Sequence, residues 1–270
     1  MLPLQEVTQR LAAQDAVLVA VHATAGSVPR EAGAWMAVFR DTVVGTIGGG
    51  HLELQAIEEA RRRLAGGAGQ PVLRHPLGPS LGQCCGGVVH LRYERLTAAD
   101  APGLGERLTV PRTPVALFGG GHVGRALVRV LGTLPFVVTW IDSRDEIFPD
   151  DVPDHVACEH SDPVQSAVAD LAPGSRVLVM SFSHAEDLDV VAACLMRQRE
   201  RGDLAFIGLI GSATKWATFR HRLEQRGFAP GELSQVTCPI GIPGIAGKEP
   251  EVIAISVAAQ LLQLQEPGRR

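Results

Sequence analysis

With 270 residues the chain has room for two domains of ordinary size, and 46% hydrophobic against 20% charged residues describes a globular protein with ample core material. A formal net charge of −4 without a basic run gives nucleic acid no footing, and no apolar stretch reaches the roughly 18–20 residues that a membrane span needs. Five cysteines with no C-x-x-C pair argue against a disulfide framework and a structural zinc site, and the opening MLPLQEVTQRLAAQDA lacks the basic-then-apolar order of a signal peptide, so a cytoplasmic location is expected.

Leu2 to Gln14 reads as an amphipathic helix, with Leu4, Val7 and Leu11 on one side, and Ala16 to Val21 as a buried strand. Ala34 to Phe39 and Thr42 to Ile47 predict two strands paired across a turn at Arg40–Asp41. Gly48, Gly49 and Gly50 close the second of these and open a helix from about His51 to Ala65. Pro71 to Leu77 predicts a further strand. Val88 to Leu96 predicts another, half-buried, since Val89, Leu91 and Tyr93 alternate with His90, Arg92 and Glu94. These elements make up a smaller N-terminal α+β domain, residues 1–96. Thr97 to Pro114, rich in proline, glycine and small residues, predicts a linker.

From residue 115 to 270 strands and helices alternate. Strands are expected at Val115–Phe118, Phe136–Ile141, His155–Cys158, Arg176–Ser181 and Ala205–Leu209. Helices are expected after Gly121 and at Pro163–Leu171, His184–Arg201, Ala213–Gly227 and Pro250–Leu264, with Gln235 to Lys248 as a loop. Such a β-α alternation builds a parallel sheet covered on both faces, so the fold class is α/β with a C-terminal Rossmann-like domain.

The second domain opens with VALFGGGHVGRALVRVLGTLPFVVTWID. Here Gly119, Gly121 and Gly124 fit G-x-G-x-x-G between a strand and a helix, and Asp142 follows Gly121 by 21 positions. The first glycine allows a tight turn, the second lets backbone approach a pyrophosphate, and the third lets helix pack on strand. Amides at the helix start then favour an anion, and Asp142 is placed to bind a ribose. Arg144 stands close enough to accept a 2′-phosphate instead, so the choice of nucleotide stays open, as does whether the pocket holds one.

Gly48–Gly49–Gly50 offers the same bare amides, though a plain strand-to-helix turn explains it as well. Arg30, on the preceding loop, can clamp a phosphate or stand as a solvated charge. Cys84–Cys85, followed by Gly86–Gly87, suits an accessible thiolate for a soft metal, a vicinal disulfide, or small buried side chains. Cys158, Cys194 and Cys238 read as core. Ser181, Ser183, His184, Glu186 and Asp187 follow a strand at the ligand edge, where Ser183 and Glu186 form a helix-capping box. Gly208, Gly211, Ser212 and Lys215 flank the same edge.

The segments 26–38, 45–53, 84–87, 118–124, 206–212 and 238–256 together resemble the XdhC/CoxI family, in order and over nearly the whole chain. The resemblance implies a cytoplasmic chaperone that binds the molybdenum cofactor, a molybdopterin, and protects it while a cysteine desulfurase or sulfurtransferase supplies the sulfido ligand. It implies delivery to the molybdenum-binding subunit of xanthine dehydrogenase, a homodimer, and no turnover of its own. The cofactor-contacting positions so implied are Gly48, Gly49, Gly50, Cys85, Gly86 and Gly87, with Cys85 at the metal, and Gly119, Gly121, Gly124 and Asp142 in the second domain; Arg30 joins them as a phosphate clamp. The rival expectations are an NAD(P)-dependent oxidoreductase with His184 as its acid or hydride-directing group, and a scaffold that recruits enzymes without holding the cofactor.

Overall fold

Alternating apolar residues assemble the first sheet in the computed structural model, which describes residues 3–78, 86–108, 112–153 and 155–264. The chain divides into two units, one up to residue 110 and the other from residue 111. In the first unit β1 (Ala16–Ala25), β2 (Trp35–Val38), β3 (Val43–Gly45), β4 (Val72–Pro76) and β5 (Val88–Leu96) form an antiparallel sheet in the order β3-β2-β1-β5-β4. Val17, Val19 and Val21 turn one face toward Leu52, Ala56 and Ala60 of α2 (Gly50–Leu64). Ala16 and Leu18 turn the other face toward Val7 and Leu11 of α1 (Pro3–Leu11). The four-residue spacing of the small side chains on α2 keeps one stripe of that helix on the sheet.

Thr97 to Leu108 is folded, in contrast to the connecting chain that the composition of Thr97 to Pro114 predicts. Ala98–Gly103 is a 3-10 turn, with Thr97 N donating to Asp100 Oδ2 at 2.8 Å, and α3 (Leu104–Leu108) follows. Leu104 is fully buried beside Val7 and Leu11. One apolar anchor among prolines and glycines leaves no periodic signal, so only packing reveals it. Thr113 and Pro114 already belong to the next strand.

The second unit is a parallel sheet of β6 (Thr113–Phe118), β7 (Phe136–Asp142), β8 (Val156–His160), β9 (Arg176–Val179), β10 (Phe206–Leu209) and β11 (Val236–Thr237). Its order is β11-β10-β9-β6-β7-β8, the doubly wound arrangement whose direction reverses between β6 and β9. On one face α4 (His122–Leu131) and α8 (Pro250–Gln263) bury Leu127, Leu131, Val257 and Leu261. On the other, α5 (His184–Arg201) and α6 (Ala213–Gln225) bury Leu188, Val191, Leu195 and Phe219. A four-residue helix, α7 (Pro230–Leu233), precedes β11, and β11 lies inside the stretch expected as loop.

Within the helix expected at Pro163–Leu171, residues 164–170 adopt the 3-10 form. Buried Arg197 of α5 takes the carbonyls of Val168 and Leu171, each at 2.7 Å, and so draws the end of this segment onto its own helix. No helix among the described residues is long and apolar enough to cross a membrane.

Candidate functional site

The glycine turn after β6 lies beside the reversal point of the parallel sheet, and each of its glycines has a distinct physical reason. Gly119 has φ +127°, and a Cβ there would lie 2.0 Å from the Met180 carbonyl oxygen at the end of β9. A Cβ on Gly124 would lie 2.1 Å from the Gly119 carbonyl oxygen, so α4 rests directly on the turn. A Cβ on Gly121 would meet nothing within 4 Å, and no side chain caps α4 there. Open space before an uncapped helix start suits an anionic group.

Asp142 reaches the position expected for a ribose-binding acid, yet its carboxylate is already engaged. Oδ2 accepts from Gly120 N at 2.5 Å and from Arg144 Nη2 at 2.8 Å, while Oδ1 accepts from Arg144 N and Nε, both at 2.9 Å. Burial opposes ionisation of Asp142, but the Arg144 guanidinium and the two backbone amides outweigh it and hold the carboxyl below the usual aspartate range. Arg144 also lies over the ring of Phe182, 4.6 Å from its centre, and Phe182 is 65% exposed. Sequence reasoning had no signal for this stack beyond an exposed aromatic after β9.

Along the same edge, Ser183 Oγ accepts from Glu186 N at 3.2 Å, the expected cap. The Glu186 carboxylate turns back to Phe182 N at 3.1 Å and accepts from Ser143 Oγ at 2.6 Å. His184 is exposed and stands edge-on to Phe219. Asp187, buried, accepts from Ser181 N at 2.7 Å and pairs with Lys215 Nζ at 2.6 Å. Ser181 Oγ is buried without a hydrogen-bond partner among the described residues. A cleft of about 500 Å³ lies past the end of β10, between Gly211, the 239–248 loop and Ser256 of α8.

In the first unit the structure gathers Arg30, Gly48 and Gly87 around one loop, residues 26–33. A Cβ on Gly48 would lie 2.7 Å from Pro29 Cβ and 3.2 Å from Arg30 Cγ, and one on Gly87 would lie 2.4 Å from the Ser27 carbonyl oxygen. A cleft of about 580 Å³ runs beside this loop and includes Arg30, Trp35 and Thr46. Two amides of the triple glycine are not bare, however. Glu53 accepts from Gly49 N at 3.1 Å, from Ile47 N at 2.9 Å and from Thr46 Oγ1 at 2.5 Å, and Gly48 N donates to Thr46 Oγ1 at 3.1 Å. An internal carboxylate therefore occupies the place that the sequence reading assigns to an anionic guest at Gly48 and Gly49. The available clue was an acid in the first turn of α2.

Although burial raises its pKa, the hydrogen bonds from Thr46, Ile47, Gly49 and Gly48 leave the Glu53 carboxyl below its usual value of about 4.5. A depressed folded-state pKa means that ionised Glu53 stabilises fully above that usual value, and that this contribution is lost as pH falls through the folded-state value. Glu53→Gln is expected to lower stability at pH 7 and to narrow the gap between unfolding midpoints at pH 7 and pH 3. Equal gaps in urea titrations of the two proteins would show that another group answers these amides.

Cys84 and Cys85 lie outside the described residues, so the proposed metal end of the site belongs to the sequence reading. Cys194 is buried as expected, and its thiol is pushed up to about 12 by burial. Cys238 is partly buried, whereas Cys158 is exposed and not core. It sits on β8, an edge strand of the sheet whose residues 157, 158 and 160 are exposed.

Comparison with known proteins places both units. Residues 115–261 match the model described as the XdhC Rossmann domain, and residues 10–75 match the XdhC and CoxI family. The Escherichia coli (strain K12) protein YqeB, itself uncharacterized, is 28% identical over 253 residues, covering 90% of this chain. The chain spans 42% of that relative's length. A crystal structure described as a xanthine dehydrogenase from Bacillus halodurans superimposes with a TM-score of 0.77 at 20% identity, covering 100% of this chain and 98% of that one. At that identity the likeness speaks for the fold.

Proposed function

We propose, on the premise that this chain belongs to the XdhC and CoxI family, that it is an accessory protein of xanthine dehydrogenase which carries the molybdenum cofactor. In this reading it shelters the cofactor while a sulfurtransferase supplies the sulfido ligand, and helps to place it in the molybdenum-binding subunit, without turnover of its own and as a homodimer. The carrying observation is that both family matches fall in order along one chain.

The two glycine turns fit a phosphate-bearing pterin unequally. The turn at Gly119–Gly124 fits better: its helix start has no side-chain cap and Gly121 faces open space, although the Gly120 amide is already given to Asp142. Gly48 and Gly49 fit less well, because their amides are already bonded and the Glu53 carboxylate would repel a phosphate. Gly50, Arg30 and the Gly86–Gly87 segment remain the first unit's candidates for contact, with Cys85 as the proposed thiolate toward the metal. The cofactor when bound is the metal centre of the target hydroxylase; this chain's residues would hold and screen it.

Purification from a molybdenum-replete host tests the reading. The protein is expected to retain molybdenum and a fluorescent oxidised pterin, and Cys85→Ala is expected to lose most of the metal with an unchanged melting temperature. A metal-free and pterin-free wild-type protein that fails to raise xanthine dehydrogenase activity would refute it.

A further inference from the structure

Asp142 stands at the end of β7, where the acid of a doubly wound domain holds the two hydroxyls of an adenosine ribose. A carboxylate offers about four acceptor positions. All four on Asp142 receive N–H groups of this chain, one from Gly120 and three from Arg144. A ribose diol arriving there finds no acceptor unless Arg144 leaves.

Arg144 itself is held ready for a ligand. Its side chain remains 31% exposed while that of Asp142 is 1% exposed, and its Nη1 donates to no described residue. The ring of Phe182 supports one face of the guanidinium. Arg125 of α4 ties the loop beneath it, donating to Ile147 O at 2.8 Å and Gly120 O at 3.3 Å. Of the other acids around Arg144, Glu186 already accepts from Ser143 Oγ and Phe182 N, and Asp145, next in sequence, is exposed and lies 3.2 Å from His160 Nε2. A planar guanidinium with a free edge suits a phosphate dianion better than a neutral diol.

We propose that the crevice of the second unit takes adenine nucleotides phosphorylated on the ribose, the NADP class, over those with a free diol, and that Arg144 is the specificity-determining residue. This goes beyond the accessory role and does not rest on it.

Calorimetric titration of the full chain with NADP, NAD and adenosine 2′-monophosphate is the test. NADP is expected to bind on the order of tenfold more tightly than NAD, with adenosine 2′-monophosphate competing for its site. Arg144→Gln should abolish the preference and, by releasing Asp142, strengthen NAD binding. Arg144→Lys, which keeps the charge, should retain part of the preference and guards against a Gln variant that fails to fold. NAD binding as tight as NADP, binding of neither nucleotide, or a preference that survives in Arg144→Gln would overturn the proposal. Both readings seat a phosphate at the Gly119–Gly124 turn. Molybdenum and pterin content are therefore measured first on the protein as purified, and the titrations follow on protein freed of pterin. Failure of either reading is then seen apart from the other.

Discussion

Gly124→Ala is expected to destabilise the second unit by about 2–3 kcal/mol, although alanine is the better helix former by about 1 kcal/mol. The added Cβ would lie 2.1 Å from the Gly119 carbonyl oxygen, which is backbone and cannot swing aside. That oxygen also accepts the indole N–H of Trp140 at 2.9 Å, and Trp140 is fully buried in the sheet core. Relief therefore requires α4 to lift from β6, opening the Leu127 and Leu131 packing against α8, or the Trp140 bond to break. Urea unfolding followed by circular dichroism reads the effect as a lowered midpoint. A midpoint at or above that of the wild type would show that helix propensity outweighs close approach, and that α4 does not rest on the turn.

The largest loss, about 3–5 kcal/mol, is expected for Asp187→Ala. Asp187 accepts from Ser181 N and from Lys215 Nζ, and the two side chains of the pair are 3% and 12% exposed. Truncating the acid leaves a largely buried ammonium group with Ile210 O and the face of Phe219 as its remaining partners among the described residues, and leaves the amide just past β9 unanswered. The double variant Asp187→Leu with Lys215→Met should recover part of the loss, because it removes both charges with side chains of similar shape but leaves the Ser181 amide and the Ile210 carbonyl without these partners. Thermal unfolding of the single and double variants decides the matter. If the single variant melts with the wild type, the pair is solvated and positions nothing at this edge of the sheet.

These two residues differ in how far sequence reveals them. Gly124 is legible: the fingerprint predicts close helix–strand contact, and the fold brings the Gly119 carbonyl to the place a Cβ would fill. Asp187 is not, since an acid in the first turn of a helix after a serine cap looks like a dipole partner, and its lysine lies 28 positions away. Glu53 is hidden in the same way. A first-turn glutamate is ordinary, and only the folded turn shows it taking the amides of Ile47 and Gly49.

The sequence by itself determined the order of the longer strands and helices, because residue periods of two and 3.6 are local properties of each segment. It also determined the two glycine turns and the reason for each glycine of the second, since backbone sterics depend on residue type at a fixed place. Tertiary structure alone decided which polar groups meet. Arg144 closing Asp142, Glu53 answering the triple glycine, Leu104 anchoring a stretch that reads as linker, and Arg197 drawing in the 164–170 carbonyls all depend on side-chain direction and packing. Those are set by the whole fold, and no short window of residues encodes them.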